Sequence, residues 1–141
     1  MSGKKQHEMS VVMKAKDLCR YVMTITEKSP KQYRFTFTSR LQNLALDIIQ
    51  NLYRANDTFI TDEVNRTEKM EQRLAFQHQA LTDLRLLAYF AQLALEQKAI
   101  LPKQYEQIAL QSSDCMNLVG AWINSDRKRF AGGGHLHADK T

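Results

Sequence analysis

Apolar residues in this chain return every three or four positions, stretch after stretch, and almost nothing breaks the rhythm. Val11, Ala15, Leu18, Val22 and Ile25 make one stripe. Leu41, Leu44, Ala45, Ile48, Ile49 and Leu52 make a second. Leu101, Tyr105, Ile108, Ser112, Cys115, Val119 and Trp122 make another, interrupted only by Ser112. A period of 3.6 residues puts each set on one side of a helix. There are only two prolines, and three of the five glycines are Gly132-Gly133-Gly134 near the end. So little turn chemistry excludes a sandwich or barrel of short strands.

Four helices follow. The first runs from a cap at Ser10 to about Lys28, where Pro30 forces Ser29 out of helical geometry. Ser29 to Phe37 reads as a loop with an aromatic-rich end. The second helix starts near Thr36 or Thr38, the candidate caps. The third spans Glu63 to about Gln97 behind a Thr61-Asp62 cap. It is charged at first (Arg66, Glu68, Lys69, Glu71, Arg73), then apolar nearly all round from Leu81 to Leu95. That excess of apolar surface (Leu86, Tyr89, Phe90, Leu93) implies self-association. Pro102 suits the first turn of the fourth helix, which ends near Arg129. At 141 residues the chain is one domain with an adequate core. The expected architecture is an all-α, up-down-up-down four-helix bundle over residues 11–129. A flexible N-terminus (1–10) and a disordered Gly/His tail (130–141) flank it.

Charge is unevenly spread along the chain. Residues 1–56 carry ten Lys/Arg against four Asp/Glu, residues 57–126 carry six against ten, and residues 127–141 carry four against one. Basic ends around an acidic middle fit contact with a polyanion or with an acidic partner. Up-down topology gathers Lys28, Lys31, Arg34 and Arg40 with Lys98 and Lys103 at one end. Lys14, Lys16, Arg54, Arg127, Lys128 and Arg129 collect at the other. No acid interrupts Lys28 to Arg40. There, cations alternate with Tyr33, Phe35 and Phe37. The cations can neutralise phosphates, and aromatics can stack on bases or close the bundle end. Phe35 and Phe37 are expected to plug the core with Tyr33 half covering them, and Trp122 to be core. Arg20 and Arg73 are weaker cation candidates.

Catalytic chemistry finds no foothold. Gly132-Gly133-Gly134 follows a helix and cradles nothing. Cys19 and Cys115 sit among apolar residues as small core thiols, form no disulfide framework or zinc set, and fit a reducing, cytoplasmic setting. His135 and His137 supply two ligands at most, His78 is isolated, and no Glu-x-x-His pair exists for a di-iron bundle. No cofactor is expected. No apolar run approaches a membrane span, and the first residues lack a signal peptide's apolar core.

One stretch is specific enough to suggest kinship. Lys28-Ser29-Pro30-Lys31-x-Tyr33-Arg34-Phe35-Thr36, with Arg40-Leu41-x-Asn43-Leu44-Ala45-Leu46-Asp47, resembles the four-helix-bundle family of the accessory variability determinant of diversity-generating retroelements. Its broader membership includes proteins encoded in intervening sequences of bacterial 23S ribosomal RNA genes. Ile100-Leu101-Pro102-Lys103-Gln104-Tyr105 and Gly120-Ala121-Trp122 fit as well. The likeness covers about residues 11–129. It implies a non-enzymatic, ring-like homo-oligomer, a pentameric barrel. Such a protein binds a reverse transcriptase and its template RNA, and supports mutagenic cDNA synthesis. The motif's cations are here Lys31 and Arg34, with Arg40 just after. The acidic middle confines any contact with RNA or DNA to the ends or a lumen. The alternative is a protein–protein scaffold with no nucleic-acid role.

Overall fold

A computed structural model describes residues 3–61 and 64–131 of the chain. It is an all-helical four-helix bundle: α1 (Gly3–Thr26), α2 (Ser39–Asn56), α3 (Arg66–Glu96) and α4 (Pro102–Ala131). Each helix packs on its neighbours in sequence, and α4 closes back on α1. Short connections between successive helices give the up-down-up-down course.

The stripes become the core. Val11, Ala15, Leu18 and Val22 of α1 meet Leu41, Leu44, Ala45, Ile48 and Leu52 of α2. From the other side come Ala80, Leu84, Leu87, Ala91 and Ala94 of α3, with Ile108, Cys115, Val119, Trp122 and Ile123 of α4. Trp122, fully buried, is the largest side chain of the interior. Ile25 and Ile49 are only half-buried, and Leu101 lies outside at the start of α4. In place of Ile25, Thr26 closes the α1 stripe. Its hydroxyl donates to the Val22 carbonyl at 2.6 Å and accepts from Gln42 Nε2 at 2.9 Å, tying α1 to α2.

Several boundaries differ from the sequence expectation. α1 begins at Gly3, so Ser10 lies inside the helix and most of residues 1–10 are helical. Residues 4–9 contain neither Pro nor Gly, and nothing stops a helix from propagating back through them. Ser29 to Phe37 is not an open loop. Lys31–Tyr33 forms a 3-10 turn, and Arg34–Thr38 forms a π-turn that runs straight into α2. Neither Thr36 nor Thr38 caps α2: the Thr36 hydroxyl turns back toward the Tyr33 carbonyl at 3.5 Å, and Thr38 is itself helical. The charged start does belong to α3, as expected, although the helix begins at Arg66. One helix of 31 residues runs through it, against 18 in α2. At about 1.5 Å per residue α3 outreaches α2 by roughly 20 Å. The 57–65 connection begins where α2 stops.

α3 ends without glycine. Lys98 takes φ 62°, its N–H reaches the Leu95 carbonyl at 2.9 Å, and the Ala99 N–H reaches Ala94 at 2.7 Å. This paired closure normally takes Gly at the left-handed position. Pro102 opens α4 as expected, and the Gln104 side chain reaches back to the Leu101 N–H at 2.9 Å, half of a capping box. α4 continues two residues past Arg129. Asp62 and Glu63, expected to open the third helix, and residues 132–141 of the Gly/His tail, including His135 and His137, lie outside the described residues. Among those described, no helix is long and apolar enough to cross a membrane.

Candidate nucleic-acid interface

The first end of the bundle is assembled from the turns between α1 and α2 and the α3–α4 connection. Two aromatic side chains hold it together. Tyr33 donates its hydroxyl to the Gln97 carbonyl at the end of α3, at 2.8 Å. Phe37 packs between Tyr33 and Phe90, with ring centroids 5.8 Å and 5.4 Å away. Arg40 lays its guanidinium over the far partner, 5.6 Å from the Phe90 ring centre. These contacts put Lys28, Lys31, Arg34 and Arg40 at the same end as Lys98 and Lys103, all exposed. The sequence expectation for this cluster therefore matches the geometry.

Phe35 does not follow its neighbours. It was expected to plug the core with Phe37, yet it is 82% exposed. Helical geometry is the reason. Residues two apart lie on nearly opposite sides of a helical turn, whereas Tyr33 and Phe37, four apart, share one side, so only one of the two phenylalanines can face inward.

The second end contains fewer free cations than its composition suggests. Arg73 is 5% exposed and forms the centre of a buried polar cluster. Its Nε donates to Asp126 Oδ2 at 2.7 Å and its Nη2 to Oδ1 at 3.2 Å, a bidentate pair. Its Nη1 reaches the carbonyls of Ala55 at 3.4 Å and Thr58 at 3.3 Å, supplying positive charge where α2 ends. Gln77 adds a bond to Asp126 at 2.9 Å. Arg129 completes the set, donating to Asp126 at 2.8 Å and lying 4.6 Å from the Phe130 ring centre. With 29% of its side chain exposed, Arg129 is mainly a structural cation here, and Arg73 wholly so. Arg54, Arg127 and Lys128 remain exposed, Arg54 lying over Phe76 and Arg127 lining a cleft of about 230 Å³ beside Phe130. Arg20 is exposed but paired with Asp17 at 2.6 Å.

The sequence reading missed this cluster, although a signal was present. Arg73 and Gln77 continue the Ala80, Leu84, Leu87, Ala91, Ala94 stripe at the same four-three spacing, and Asp126 continues that of Val119 and Trp122. Opposite charges on two core stripes of antiparallel neighbours forecast a buried pair.

A second buried acid lies between α2 and α3. Asp83 accepts from Asn51 at 3.0 Å and from Gln79 at 3.1 Å. Burial raises its pKa above the ordinary value, the two amides oppose that, and Asp47 adds to it. Both cysteines are buried. Desolvation pushes the Cys115 thiol up to about 11 despite Lys14, and raises Cys19 despite Arg20, so neither is primed as a nucleophile. Among the described residues, no group of three or more His, Cys, Asp or Glu side chains is placed to hold a metal.

No family profile and no curated protein matches the sequence. Among solved structures, the fold matches a crystal structure of a protein of unknown function from the S23 ribosomal protein family of Bacteroides thetaiotaomicron. The TM-score is 0.64, over 84% of this chain and 98% of that one. Sequence identity is 16%, so what the two chains share is the bundle itself.

Proposed function

We propose that the chain is a non-enzymatic accessory protein of a diversity-generating retroelement, binding the reverse transcriptase and its template RNA. The observation that carries the reading is the acid-free rim from Lys28 to Arg40, which the turns hold at one end of the bundle beside Lys98 and Lys103. Six exposed cations there form a surface for a phosphate backbone, and phosphate contacts give affinity with little sequence preference. Selectivity for the template would then come from the polymerase partner. The shared bundle with a protein of a family named for a ribosomal protein is consistent with an RNA ligand. The resemblance to the accessory determinants supplies the polymerase and a ring of copies. Exposed Leu86 and Tyr89 on α3 offer apolar surface for such assembly.

The test is binding of labelled RNA across a salt series. Lys31→Glu/Arg34→Glu should weaken binding at least tenfold. It should also flatten the slope of log K against log salt by about 1.5, as two lost phosphate contacts require. Unchanged affinity and slope would remove this end as the site. A wild-type chain that ignores RNA at physiological salt would leave the scaffold alternative, in which the acidic middle docks a basic partner.

A further inference from the structure

Phe35 is the one aromatic side chain between Lys28 and Arg40 that the bundle does not use. It is 82% exposed, while Tyr33 and Phe37 on either side are half-buried and fixed by the Gln97 carbonyl and the Phe90 ring. The backbone beneath it is a π-turn bounded by a 3-10 turn and by α2, so the ring stands on an anchored base. Lys31 and Arg34, both exposed, lie within one turn of it, and no acid occurs between Lys28 and Arg40. π-turns are rare and concentrate at functional sites. Leaving a phenylalanine in water costs hydrophobic stabilisation that Phe37, two residues on, recovers by packing.

We infer that Phe35 is a stacking platform for an unpaired base, which makes single-stranded RNA the preferred ligand of this end. The inference rests on the proposed RNA-binding role and narrows it. A base laid on the ring places its flanking phosphates toward Lys31 and Arg34. A duplex keeps its bases stacked on each other and offers the ring no free face, so it engages the cations alone. An aromatic ring accepts any of the four bases, consistent with a reader of strandedness.

The experiment compares a fluorescein-labelled unstructured RNA of twelve nucleotides with a twelve-base-pair RNA duplex, by anisotropy on the full chain at fixed salt. Phe35→Ala should weaken the single strand about tenfold, leave the duplex within twofold, and leave the salt slope unaltered, because no phosphate contact is lost. Phe35→Tyr should restore single-strand binding. In Phe35→Trp the new indole is exposed whereas Trp122 is buried, so single-stranded RNA should quench the added emission and the duplex should not. The exposed ring contributes little to the core, so each variant should keep its helix content, which circular dichroism checks. Equal weakening of both ligands, or of neither, overturns the platform; in the second case Phe35 faces a protein partner. If Lys31→Glu/Arg34→Glu also leaves RNA binding intact, this end is not the RNA site, and a wild-type chain that ignores both RNAs overturns the proposed function itself, whereas loss with that pair alone overturns only the stacking.

Discussion

A buried ion pair is costly to break from one side. Arg73→Met would leave Asp126 inside the bundle with only Gln77 and Arg129, and would remove the guanidinium from two carbonyls at the end of α2. We expect a loss of about 3–5 kcal/mol in urea unfolding. Asp126→Leu on that background should cost less than it does alone, with a coupling of about 1–3 kcal/mol in a double-mutant cycle. Asp83 behaves in the opposite sense, since among the described residues its carboxylate is met by the Asn51 and Gln79 amides and by no cation. Its raised folded pKa means that its favourable contribution is complete at acid pH, below the unfolded value, and is lost as pH rises through the folded one. Asp83→Asn should therefore raise the melting temperature at pH 7, and the advantage should shrink to nothing below about pH 4. A mutant whose advantage over the wild type is no larger at pH 7 than at pH 4 would contradict this. Both acids lie where the apolar rhythm asks for hydrocarbon. They were legible as interruptions, but their partners lie on other helices, and no spacing within one helix reveals which partner is met.

At the scale of elements, four helices and most of their inward faces could be read from spacing alone, because burial of a stripe is what a bundle needs and what 3.6-residue periodicity reports. Terminal geometry was less accessible. Thr36 and Thr38 have the chemistry of caps, yet the backbone is already helical before them: the Thr36 hydroxyl turns to the Tyr33 carbonyl and the Thr38 side chain makes no capping bond. The π-turn depends on Tyr33 and Phe37 docking against α3, contacts more than 50 residues away in sequence. Lys98 is another case: a side chain in the left-handed region costs about 1 kcal/mol relative to glycine. Lys98→Gly should raise stability by about 0.5–1 kcal/mol in thermal or urea unfolding. It should also weaken RNA binding slightly, because one rim cation is gone.

For the whole molecule, the outer surface of α3 decides whether one copy suffices. Of the four residues expected to form excess apolar surface, Phe90 is covered by Phe37 and Arg40 and Leu93 is half-buried. Leu86 and Tyr89 stay 38% and 54% exposed. Leu86→Glu/Tyr89→Glu should reduce the mass seen by light scattering from an assembly to a single chain without changing helix content. A wild-type chain of 16.3 kDa in solution would refute the assembly. Charge balance along the sequence forecast cationic ends, and the structure divides that forecast in two, one end open to solvent and the other partly spent on its own interior. The spent end has a mechanical consequence. If α4 slid one heptad along α3, Arg73 would face Val119 instead of Asp126, with guanidinium and carboxylate each stranded in hydrocarbon. Apolar stripes alone tolerate such slippage; a single ionic pin at one tip does not, so this bundle has only one way to line up.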